Sequence, residues 1–145
     1  MAFRFPLATV LRVRESVEQR EERALQRIRL EMARVLRQIE ELSAAIAKAH
    51  DAHLEALRRP ISAGQLHSLL WEAQAAVEKR KALFPVLQTL EQQRDKQLKI
   101  YQAAHRNHET LIGMKNQQHA AYELKQARTQ QKSLDDIFMA RRHRS

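Results

Sequence analysis

Cysteine is missing from this chain of 145 residues, and glycine and proline nearly so, at 2 and 3. The first absence excludes disulfides and thiolate metal sites and suits a reducing compartment. The scarcity of helix breakers, beside abundant Ala, Leu, Gln, Glu, Lys and Arg, predicts an all-α chain. Aromatic residues, at 5%, are too few and scattered to line a groove that stacks bases. No apolar run approaches the roughly 20 residues that cross a bilayer. The opening Met1–Leu7 has neither a long apolar core nor a small-residue cleavage site, so it does not read as a secretory signal. Glu15, Glu18, Glu21 and Glu22 speak against a transit peptide. A soluble, cytosolic protein is expected. The sequence has no Gly-rich phosphate loop and no nucleophile in a recognisable setting. It reads as a non-enzyme with no cofactor and no small-molecule substrate.

A heptad seam is plainly present. Leu25, Ile28, Met32, Val35, Ile39, Leu42, Ile46 and Ala49 alternate three- and four-residue steps. Such a narrow apolar stripe packs on another helix rather than on a broad core. Upstream, Leu7, Val10, Val17 and Ala24 form a stripe slightly out of phase, with Arg14 and Glu21 at positions where apolar residues would continue it. That drift predicts a change of winding near residues 21–25. The single turn-like segment is Arg59–Gly64. Pro60 ends the first helix, and Ser62 with Gln65 has the spacing of a capping box.

The chain is therefore expected to be one coiled-coil domain, 1–145: a long antiparallel two-helix hairpin. Helix 1 runs over about 6–58, the turn over 59–64 and helix 2 over about 65–141, with a kink or break at Pro85. A parallel homodimer is the competing arrangement. The seam of helix 2 is rougher: Leu66, Leu69 or Leu70, Val77, Phe84, Leu87, Leu98, Tyr101, Ile112 and Tyr122, interrupted at Arg80, Arg94, His105, His108, Lys115 and His119. Helix 1 spans about 80 Å and helix 2 about 115 Å. Folded back at the turn, Leu25 lies opposite residue 97 and Leu7 opposite residue 115. Residues 116–145 are then an overhang or flexible tail, expected to lack an intramolecular partner.

The net charge of +9 invites an acidic partner. Interleaved signs, as in Arg20-Glu21-Glu22-Arg23, weigh against nucleic acid and for a solvated helix face. The basic end Arg141-Arg142-His143-Arg144 fits acidic partners or solubilising charge. His105-x-x-His108 has ligand spacing but no evident third ligand. His50-x-x-His53 is weaker still, and no metal is expected.

Phe3-Arg4-Phe5-Pro6-Leu7, Leu11-Arg12-Val13-Arg14-Glu15, the Ser62–Leu70 turn and Gln131-Lys132-Ser133-Leu134-Asp135-Asp136-Ile137 together resemble the FliJ family of the bacterial flagellar type III export apparatus. The resemblance covers essentially the whole chain. It implies an antiparallel coiled coil similar to the γ stalk of rotary ATPases, seated in the export ATPase hexamer. It implies further contacts with the export gate, a membrane protein, and with export chaperones, and a place at the inner membrane beneath the flagellum. On this reading Phe3, Phe5, Leu7, Leu11, Leu134, Ile137, Phe138, Met139 and Arg141 face the ATPase ring. Leu69 and Trp71 are candidates for the gate or a chaperone. The alternatives are the equivalent stalk of a virulence-type secretion system and a basic coiled coil that binds nucleic acid.

Overall fold

The computed structural model describes residues 2–144. Two helices, α1 (Ala8–Ala56) and α2 (Ala63–Arg144), make an all-α hairpin coiled coil. Phe5 and Pro6 lead into α1: the Phe5 carbonyl accepts the Ala8 N–H at 3.1 Å before the regular ladder starts. At the other end, Arg58 and Arg59 donate to the carbonyls of Glu55 and Ala56, three residues back, which satisfies orphan carbonyls before Pro60 stops the helix. The capping box forms reciprocally. The Ser62 hydroxyl accepts the Gln65 N–H at 3.2 Å, and the Gln65 side-chain oxygen accepts the Ser62 N–H at 3.4 Å.

The fold divides into two compact units: Met1–Arg20 with Tyr101–Ser145, and Glu21–Ile100. In the second, Leu25, Met32 and Val35 are buried and Ile28, Ile39, Leu42, Ile46 and Ala49 are half-buried. Across from them α2 presents Leu66, Leu69, Ala73, Ala76, Arg80, Leu83, Leu87, Leu90, Arg94 and Gln97, all half-buried and in unbroken three–four steps. This corrects the expected seam at two places. Leu70 and Phe84 are about half exposed, and Leu83 and Leu90 take the inward positions. Phe84 misleads because it is the bulkier neighbour of Leu83, one residue out of register.

Pro85 does not break α2, which runs through it. It stands on the outer face, with Phe84, Pro85 and Val86 all exposed. The backbone bond it cannot make leaves the carbonyl four residues earlier, at exposed Lys81, facing water.

The upstream drift also resolves differently. Counting the same three–four steps back from Leu25 gives Glu21, Glu18, Arg14, Leu11 and Leu7. Glu18, Glu21, Leu11 and Leu7 are half-buried, while Val10 is 42% exposed. Here polar side chains occupy inward positions beside Val17 and Ala24, which are half-buried as well.

Candidate functional site: the C-terminal extension of α2

In the unit that contains both chain ends, the arm before and at the start of α1 packs on α2. Phe5 is buried, and Leu7 and Leu11 are half-buried. Phe3 meets His119 edge-on at 5.0 Å between ring centroids and Tyr122 at 5.6 Å. Residues just beyond Lys115 therefore do have an intramolecular partner, contrary to the overhang expected from the helix lengths. The non-helical segment 2–7 extends the reach of the chain past the start of α1, which a count of helical residues omits.

Packing ends at Gln126. Residues 127–144 are helical and exposed throughout, an extension of about 27 Å. Continuing the seam register of α2 from Tyr101, Ala104, His108 and Leu111 places Lys125, Thr129, Lys132, Asp136, Met139 and His143 on the inward line. That line is mostly polar, so it offers a returning α1 nothing to bury. Leu134, Ile137, Phe138 and Arg141 follow i, i+3, i+4, i+7 spacing and lie on the opposite side of the helix. Their exposure is 62% at Leu134, 50% at Ile137 and 67% at Phe138, so a continuous apolar stripe stands in water. Single exposed leucines mean little, but an aligned apolar face on an unpacked helix is a candidate docking surface.

The structure thus separates the candidate ring-facing residues into two groups. Phe3, Phe5, Leu7 and Leu11 turn inward. Leu134, Ile137, Phe138 and Arg141 share the free stripe, and Met139 lies on the inward line yet is exposed, at 53%. In the other unit Leu69 is half-buried in the seam. Trp71, 68% exposed, stands on the outer face of α2 with the His67 ring 6.4 Å away.

The inward polar layers were not foreseen as pairs. The Glu18 carboxylate accepts from His105 Nδ1 at 2.9 Å through one oxygen, and its second oxygen bonds His108 Nδ1. These bonds hold the Glu18 carboxyl below the ordinary carboxylate range and push His105 up. Gln97 Nε2 donates to the Glu21 carbonyl at 3.0 Å and to its carboxylate at 2.6 Å, and Arg80 Nη1 donates to Ser43 Oγ at 3.2 Å. Strict register counting back from Leu25 would have flagged Glu18 and Glu21. Glu18 is the converging third group that the His105–His108 spacing lacked. Among the described residues, however, no group of three or more His, Asp or Glu has a metal-holding arrangement.

Among the described residues no helix is long and apolar enough to cross a membrane. Neither curated proteins nor solved structures give a match to the chain. The family model for the flagellar FliJ protein matches residues 3–145, nearly the whole sequence, including both the arm ending in Leu11 and the exposed C-terminal stripe. With that match and a two-helix hairpin coiled coil, the chain belongs to the FliJ family of flagellar type III export proteins.

Proposed function

We propose that this chain is the central stalk of the flagellar export ATPase ring, with the exposed C-terminal extension of α2 as its working end. The observation that carries this reading is the unpacked helix 127–144 with Leu134, Ile137, Phe138 and Arg141 on one side. A stalk inside a ring needs an apolar end to dock and cations to meet carboxylates on the ring's inner wall; a chain of net charge +9 supplies both. One asymmetric shaft touches the subunits of a symmetric hexamer unequally. Its differential binding then biases their conformations and promotes assembly or turnover, with no chemistry of its own.

Phe3, Phe5, Leu7 and Leu11 act in this scheme through the packing of the arm rather than by direct contact. Met139 and Arg141 complete the ring-facing set. Trp71, a large aromatic standing free on α2, is the proposed anchor for the export gate or an export chaperone, with Leu69 supporting it from the seam. These contacts would keep the protein in the cytoplasm, peripheral to the inner membrane at the flagellar base.

The test is ATP hydrolysis by the cognate flagellar export ATPase with the full chain and with a chain ending at Gln126. That cut spares the Phe3 contacts, which a cut at Lys115 would destroy. Stimulation by the full chain and its loss in the truncated one, with the remaining helix intact by circular dichroism, is the expected result. Equal stimulation by both would remove the extension from the mechanism. No stimulation by either would point to chaperone handling or nucleic-acid binding, the latter betrayed by steep loss of affinity with salt.

A further inference from the structure

The Glu18 cluster lies apart from the exposed apolar stripe and ties α1 to α2 through two histidines on one carboxylate. His105 and His108 stand one turn apart on α2, so both rings reach one carboxylate on α1. Glu18 and His108 side chains are 15% and 16% exposed, and a carboxylate so sheltered is costly without charged or donating partners. Tyr101 stacks on His105 at 6.0 Å and helps fix its ring. We propose that Glu18 and His105, with His108 as a second hydrogen-bond partner of the carboxylate, form a proton-operated latch, holding the first turns of α1 on α2 in mildly acidic conditions and slackening as the pH rises.

What the latch holds is lightly anchored otherwise. Among the described residues up to Arg20, Phe5 is the one buried side chain, and Arg14 on the inward line is exposed. An ionic layer therefore counts for more in this arm than it would between rows of leucine. Slackening would uncover the inward line of α2 from Ala104 to Tyr122.

The sign follows from the pair. The bond to Glu18, helped by the Glu109 charge, raises His105 above its ordinary value of 6.5, against a smaller opposing desolvation. Its contribution is complete below about pH 6.5 and is lost as pH climbs through the raised value. Glu18, lowered chiefly by the His105 bond, contributes above its ordinary 4.5 and fails only as pH falls through its depressed value. Both contributions are whole between roughly pH 5 and 6.5. The other ionisable groups within a turn are Arg14, Glu15, Arg20, Glu21 and Glu22 on α1 and Tyr101, Arg106 and Glu109 on α2. Glu109 reinforces the imidazolium through space.

Hydrogen exchange of the full chain at pH 6 and pH 8, corrected for the intrinsic pH dependence, tests the latch independently of any ATPase. Amides 8–20 should lose protection at pH 8 by about two- to fivefold relative to amides 25–49, the range of a partly exposed ion pair. Glu18→Gln and His105→Gln should each erase that difference; half-exposed His105 can be replaced without unfolding the arm. A parallel change in both segments, or a difference that survives His105→Gln, would overturn the proposal.

Discussion

The two units build their inward lines from different side chains. From Leu25 to Ala49 the inward line of α1 is wholly apolar, and three of its side chains are buried. From Leu7 to Glu18 the same line reads Leu, Leu, Arg, Glu, and it closes on α2 through two histidines. An apolar layer stabilises through area removed from water and is indifferent to pH. A carboxylate–imidazole layer gives less net stability, because both partners leave water, but it fixes register and answers to protons. The hairpin beside the turn is built for permanence, and the arm at the chain ends for adjustment.

The sharpest way to break this contrast is to place a charge in the apolar line. Leu25 is 2% exposed, and Leu25→Asp buries an unpaired carboxylate. We expect a loss of about 4 kcal/mol and a collapse of the thermal melt followed by circular dichroism. An unchanged melt would mean that the stability resides elsewhere.

In the arm, Phe5→Ala is the matched lesion. Phe5 is 7% exposed but belongs to a thin packed layer, so a loss of about 2 kcal/mol is expected, at or below the low end for buried aromatics. The loss should stay local. Amides 8–20 should exchange faster while 25–49 keep their protection. Loss of protection throughout would show that the arm and the hairpin unfold as one, and the distinction between the units would fall.

Most of the hairpin could be read without coordinates, because apolar residues at three–four spacing have one physical use. Pro60, Ser62 and Gln65 likewise announced the turn through chemistry that works over a few residues. The misreadings share a cause. Val10 and Phe84 attract the seam when hydrophobicity is followed in place of register. A polar residue on the inward line is invisible to an apolar count until its partner is known. Glu18 needs His105 and His108, 87 and 90 residues away, and only the fold supplies them. Likewise Phe3 reached His119 and Tyr122 through a non-helical arm, whose path spacing alone does not give. The C-terminal stripe was half legible. Its residues were named, but their position opposite the seam appears only once the register of α2 is fixed from Tyr101 to Leu111.

The polar layer formed by Glu21 and Gln97 allows the smallest and most discriminating comparison. It is a hydrogen-bonded interruption in a hairpin whose inward line on α1 is otherwise apolar, with Gln97 bonding both the backbone and the carboxylate of Glu21. Replacing Gln97 alone takes its amide from the sheltered Glu21 carboxylate, and replacing Glu21 alone leaves Gln97 its bond to the backbone carbonyl but not to the carboxylate, so each single change loses a hydrogen bond while keeping a polar group in the layer. Replacing both, Glu21→Leu with Gln97→Leu, exchanges the layer for the kind found from Leu25 onward. If that layer is retained to set register rather than to add stability, the double variant should gain about 1 kcal/mol while each single variant loses a similar amount. Urea melts of the four chains give the coupling directly. A double variant less stable than the parent would mean that the polar layer is a source of strength, and that the two units differ in degree rather than in kind.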